Sequence, residues 1–255
     1  MEEKQTNYTI WESCELPSGG KIYDKPINPH IELRSMSARD EMKRLAPSST
    51  PLKTLADLID GCMIEKIGMS SYDMCMGDFE FLLHKLRITT YGPDYKISVP
   101  CPYCGETVET IAKLDELKLN EFNLEEYNNY RTFELPSSKK TITLRTQSPR
   151  LEEEIEARAK TMKRRAPAAT IDFNLFASLI LSIDFVDGKK LNELDLEKFV
   201  NGLTAKDMQK ILNNVEYLKS AVGLDTTLYV PCGKCGETIR TFFRFGPEFF
   251  RPTTI

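Results

Sequence analysis

Residues 99–107 read VPCPYCGET and residues 230–238 read VPCGKCGET. Each nonamer holds a CxxC pair, Cys101/Cys104 and Cys232/Cys235, followed by glycine. KISV leads into the first pair and ETVET leads out; TLYV and ETIRTFF flank the second. The outgoing runs alternate polar and apolar residues, the pattern of a hairpin strand. Gly105 and Gly236 free the backbone to turn tightly, so that neighbouring amides can point at the sulfurs. Two thiolates cannot complete a tetrahedral zinc shell, whereas CxxC…CxxC supplies the four ligands of a structural site. The spacing therefore predicts one zinc held by Cys101, Cys104, Cys232 and Cys235, each half of the chain giving two ligands. The loop between the pairs is far longer than in a compact zinc ribbon, so pairing of half-sites between chains stays open, as does iron in place of zinc.

The nonamer is one of three anchors repeated in the same order. ELPS occurs at 15–18 and 134–137, and IELRSMSARDE (31–41) lines up with ITLRTQSPRLE (142–152). The offset is 119 at ELPS, 111 at the Ile-Leu-Arg stretch and 131 at the cysteines, a drift that loop lengths absorb. We read a tandem duplication. The first unit spans 1–118 with its knuckle at 96–110, and the second spans 133–246 with its knuckle at 227–241. Residues 119–132 connect them, and 247–255 form an aromatic tail. The fold class is α+β: each unit has small β strands, a helical middle and a CxxC knuckle hairpin.

Local patterns fill in the unit. The Gly-Gly of SGGKIY marks a turn between short strands, and IELR and ITLR alternate as half-buried strands do. RLEEEIEARAKTMKRR carries glutamates early and cations late, which suits the helix dipole and reads as a solvated face. LKTLADLIDGCM and FNLFASLILSI read as core helices. GDFEFLLHKLRITTYG places Phe79, Leu82, Leu83 and Leu86 at helical spacing, with Asp78 as its N-terminal cap. In LTAKDMQKILNNVEYLKSAVG, Thr204 precedes Asp207 by three residues, resembling a capping box, and Gly223 closes the helix. LDELKLNEFNLEEYNNYRTF is charged and aromatic, so the connection is expected to be packed.

Composition limits the function. The 255 residues carry a net charge of -4, against the basic footprint of a nucleic-acid binder. No apolar run approaches the roughly 18 residues that span a bilayer. MEEKQTNYTIWES has no leader pattern. Seven cysteines without such a leader suit metal ligands and free thiols, and Cys14, Cys62 and Cys75 read as packed thiols. A redox CxxC sits at a helix start, and neither pair here does. The two histidines, His30 and His84, have no nucleophile motif beside them, and no phosphate-loop, dinucleotide or HExxH motif occurs. An enzyme is not expected.

The string GDFEFLLHKLRITTYGPDYKISVPCPYCGE (77–106), together with LPSGGKIY and IELRSMSARDE, resembles the baseplate hub proteins of T-even-type contractile-tailed bacteriophages. That resemblance implies a structural or assembly part of the tail baseplate, made in the host cytoplasm, carried in the virion and contacting other baseplate or tail subunits. It adds Cys101 and Cys104 as knuckle ligands and transfers no catalytic residue. Neither nucleic acid nor membrane is an expected partner. The other class in view is a nucleic-acid-binding zinc-ribbon regulator, but Lys96, Lys234 and Arg240 near the knuckles are offset by Glu106, Glu109 and Glu237. Finally, TFFRFGPEFFRPTTI crowds five phenylalanines into nine residues. Phe249, Phe250 and Arg251 are the candidate anchor for a neighbouring subunit, with docking onto this chain's own core as the alternative.

Overall fold

The alternation in WESCE and HIELR produces an antiparallel pair, β1 (Trp11–Glu15) and β2 (His30–Arg34), whose inward residues Ile31 and Leu33 are fully buried. A computed structural model describes residues 10–243, 245 and 247–250. After β2, Ser37 caps α1 (Ala38–Leu45) in a complete capping box with Asp40. Pro51 opens α2 (Pro51–Cys62), and α3 (Met76–Tyr91) follows. The helix α3 buries Phe79, Leu82, Leu83 and Leu86 as the spacing predicts, and feeds the hairpin β3 (Asp94–Pro100) and β4 (Thr107–Lys113). Among the described residues no helix is long and apolar enough to cross a membrane.

The connecting stretch is ordered by its own signals. Asn123 caps α4 (Leu124–Arg131), and Tyr127 is buried. Next come β5 (Thr132–Glu134) and β6 (Thr141–Leu144), then α5 (Pro149–Arg165) capped by Ser148, then α6 (Phe173–Ser182) capped by Asp172. The helix α4, the strand β7 (Ile183–Val186), which adds to β6, and α7 (Glu193–Asn201), capped by Asn192, were not anticipated from the sequence. The last helix, α8 (Ala205–Ser220), precedes the hairpin β8 (Thr227–Pro231) and β9 (Thr238–Phe242).

The two long helices α3 and α8 start in the same way. Cys75 and Thr204 are the N-caps, each accepting from the N–H three residues on. The predicted cap Asp78 is instead the third residue of α3, and its carboxylate turns outward to the ELPS turn, accepting from the Ser18 N–H at 3.0 Å and from the Tyr23 hydroxyl. Asp207 occupies the matching place in α8 and accepts from the N–H groups of Ser137 and Ser138 at 2.7 and 3.1 Å. Its side chain is thereby taken from the capping box predicted with Thr204. Arg34 donates to the Gly61 carbonyl near the end of α2, and Arg145 to the Leu181 carbonyl near the end of α6.

Two principal cores result. One gathers Leu16, Ile31, Leu33, Ile59, Phe79 and Leu86; the other gathers Phe133, Ile142, Leu144, Ile180, Ile211 and Leu218. The joint between them is polar and close. Thr50 gives α2 no side-chain cap; Glu153 of α5 does, accepting from the Leu52 N–H at 2.7 Å while its other oxygen takes the Tyr72 hydroxyl at 2.6 Å. Arg150 pairs with Asp73 and lies 4.5 Å over the Tyr72 ring. Gly77 lies against the turn after α8, where a Cβ would meet the Val222 carbonyl oxygen at 2.1 Å. Gly223, at φ +109°, backs onto Gly77 from the other side.

Gly77→Ala therefore forces the two halves apart, and thermal denaturation should register a loss of about 1–3 kcal/mol. A second prediction concerns pH. Burial raises the carboxyl of Glu80, on α3, from 4.5 to about 7. A raised folded value means that its contribution is complete below about pH 4.5 and is lost as pH rises through about 7. Asp40 runs the other way: burial pushes it up, but Arg34 and Ser37 outweigh that and hold it down to about 2, so its contribution persists until strong acid. Glu80→Gln should match the wild-type melting temperature at pH 4 and exceed it at pH 8; equal melting at both pH values contradicts the assignment.

Candidate metal centre

Both knuckles are closed by the same backbone pattern. The Cys101 N–H donates to the Glu106 carbonyl at 2.7 Å and the Gly105 N–H to the Cys101 carbonyl at 2.9 Å. In the second knuckle the Cys232 N–H donates to Glu237 at 2.8 Å and the Gly236 N–H to Cys232 at 2.9 Å. Gly105 and Gly236 have φ of +74° and +78°, the left-handed region that a side chain resists, so the CxxCG spelling follows from the turn. Each second cysteine is followed by a strand and not by a helix start, unlike a redox CxxC.

The hairpins β3–β4 and β8–β9 lean together on a small apolar cluster of Val99, Val230 and Ile239, with Ile97 and Val108 at its margin. At their tips the four sulfurs converge within 4.8 Å of one another. Contacts run crosswise: Cys101 to Cys235 and Cys104 to Cys232, both at 3.7 Å, so each buried cysteine faces the more accessible one of the other knuckle. All four are free thiols. Beside them Lys234 and Glu106 form an exposed ion pair between the knuckles at 2.9 Å, which removes one of the few cations near the site from any basic stripe.

Backbone amides point at three of the sulfurs, with unequal results. The N–H groups of Cys235 and Lys234 point at the Cys232 sulfur and bring its pKa down to about 7. The Glu106 N–H acts in the same sense on Cys104, but burial and the Cys101 thiol push that group up overall. At Cys235 the Glu237 N–H is outweighed by burial and by its hydrogen bonds with the other thiols, and the group stands at about 12. Four thiolates so close repel one another, and full ionisation needs a compensating cation. A tetrahedron with metal–sulfur bonds of about 2.3 Å has edges of about 3.8 Å, close to the two crosswise separations. The donor set and its spacing thus fit a tetrahedral thiolate metal.

The remaining cysteines stay apart from this cluster. Cys62 and Cys75 are buried, and Cys14 is partly so; burial raises Cys14 and Cys62 to about 11 and pushes Cys75 well above its ordinary value. Of the histidines, His30 is exposed, and His84 is buried with Nε2 2.7 Å from the Leu114 carbonyl.

Two rings of the aromatic tail lie among the described residues. Phe249 and Phe250 are 1% and 0% exposed, and both belong to the first core. Phe249 stacks edge-on or tilted against Tyr95, Phe243, Phe245 and Phe250. In this chain the two rings take the alternative that the sequence left open, docking onto its own core. Arg251 lies outside the described residues. The sequence reading also passed over Arg87 and Glu153, whose partners lie far along the chain; an arginine inside the apolar run FEFLLHKLR was the available signal for the first.

No curated protein and no solved structure matches the chain. One family does: the model described as T4 bacteriophage base plate protein matches residues 9–251. With nearly the whole chain covered, knuckles and both cores included, the protein belongs to the T4 bacteriophage base plate protein family.

Proposed function

We propose that the protein is a non-catalytic structural subunit of the hub region of a contractile-tail baseplate, assembled in the host cytoplasm and stapled by one zinc on Cys101, Cys104, Cys232 and Cys235. Family membership supports the baseplate part of this reading. The observation that carries the zinc part is the crosswise 3.7 Å separation of sulfurs from the two knuckles, combined with amides aimed at three of them. Structural zinc of this kind contributes on the order of 10 kcal/mol to folding, large beside the stability of an ordinary domain. Its role here is to close a loop of about 130 residues, which no short hairpin contact could do alone.

A duplicated ancestry accounts for the site and is part of the same proposal. It is supported by matched contacts: Ser18–Asp78 with Ser137–Asp207, Arg34–Gly61 with Arg145–Leu181, and the Ser37 cap with the Ser148 cap. Two equivalent knuckles related by a pseudo-twofold give the crosswise pairing directly.

Elemental analysis of the purified chain should find one zinc per molecule, and Cys232→Ser should lose it. A strong chelator should lower the wild-type melting temperature by more than 10 °C and leave that of Cys232→Ser nearly unchanged. A metal-free wild type would sink the zinc reading, and visible thiolate-to-iron absorption would reassign the metal. For the baseplate role, the tagged protein expressed during phage infection should co-purify with tail proteins and show no salt-dependent binding to DNA; the reverse pattern would favour the regulator.

A further inference from the structure

Arg87 is fully buried on α3, yet its guanidinium is surrounded by backbone carbonyls drawn from three places. Nη1 donates to the Gly92 carbonyl at the end of α3 at 2.8 Å, and Nη2 to the Asp94 carbonyl at the start of β3 at 3.3 Å. Nε donates to the Phe249 carbonyl at 3.1 Å, in the segment that follows β9. The plane of the group also lies 5.0 Å from the Tyr91 ring centre and 5.9 Å from that of Tyr95. Tyr95 in turn meets Phe243 and Phe249 at 5.2 and 5.7 Å. One planar fork of donors thus joins the base of the first hairpin to the segment leaving the second, which a lysine's point charge could not reproduce.

The sulfurs lie at the opposite ends of these hairpins. Seven residues of β3 rise about 20 Å from base to tip, so an error of about 5° at the base moves the tip by nearly 2 Å. A metal centre tolerates displacements of only a few tenths of an ångström before its geometry fails. The apolar contacts nearer the tip, among Val99, Val230 and Ile239, are few and cannot correct a large misalignment.

We propose that Arg87 is a positioning residue for the four-cysteine centre, holding the start of β3 and the strap after β9 on one guanidinium so that the hairpin tips bring their sulfurs together. The inference rests on the zinc reading above. A backbone pairing of 118–120 with 223–225, with the Asp225 N–H donating to Lys118 at 2.7 Å and the Asn120 N–H to Gly223 at 2.9 Å, also ties the hairpins near their bases. It fixes the edges of β4 and β8, whereas Arg87 fixes β3 and the end of β9; the two ties together leave neither hairpin free to rotate.

The test uses the full chain loaded with Zn²⁺ or Co²⁺, at a temperature where circular dichroism shows every variant folded. Zinc affinity is read by chelator competition, and the cobalt form by its visible ligand-field bands. Arg87→Met should weaken zinc binding about 10- to 100-fold and reduce the tetrahedral cobalt absorption, with Arg87→Lys between it and wild type. Leu144→Ala, in the second core, should lower the melting temperature and leave affinity and spectrum unchanged. Should Arg87→Met fail to fold, Phe249→Ala, which unseats the strap and keeps the guanidinium, is read in the same way. Wild-type affinity and spectrum in whichever of these two folds would overturn the proposal and leave the zinc reading intact. A wild type that takes up neither metal overturns both.

Discussion

The convergence of two hairpin tips is the constraint that the rest of the structure serves. Two-stranded hairpins are marginal on their own in water, and these share only a small apolar cluster. Yet their sulfurs, 128 and 134 residues apart in the crosswise pairs, meet at 3.7 Å. Such an approach can be held only if everything behind the hairpins is fixed. The long helices α3 and α8 are therefore anchored at their starts by Asp78 and Asp207 to the two ELPS turns, and the glycine contact at Gly77 and Gly223 brings them as close as backbones can come.

The joint between the halves is built from exchanged parts rather than from two finished surfaces. Glu153 of the second half caps α2 of the first, and the strap carrying Phe249 and Phe250 completes the first core from the far end of the chain. The first core is thus partly made of the second half's residues. Any change that separates the halves exposes unsatisfied N–H groups on α2 and an open apolar cavity together, so the two losses are coupled.

What could be read from the sequence was whatever declares itself locally. The strand alternation of IELR and ITLR and the 3- and 4-residue spacing from Phe79 to Leu86 depend on near neighbours, and the structure realises each. The four cysteines were legible because CxxCG states both a turn and a donor pair, and the flanking repeats matched one knuckle to the other. The roles of Asp78 and Glu153 were not, because a carboxylate near a helix start reads as a local cap until a distant N–H competes for it. The short strand IDFV was hidden for a related reason: it continues directly from α6, and only its pairing with β6 makes it a strand. Phe249 and Phe250 left two readings open because an aromatic run past a Gly-Pro looks detached, and nothing nearby in the sequence points to the core they join; the carbonyl that Arg87 takes from Phe249 is 162 residues away.

The direction of these long-range ties bears on how the chain is made. Everything that completes the first half comes from later in synthesis: Glu153 midway, Cys232 and Cys235 near the end, and the strap last of all. Contacts of such separation carry the loop-closure entropy of the intervening chain and form slowly. The first half consequently emerges from the ribosome with α2 lacking its Glu153 cap, an open core and only two of the four clustered cysteines. Its apolar surface stays open until the strap arrives to complete the core. Parts exchanged so widely between the two halves favour a single cooperative transition over stepwise assembly of each half alone.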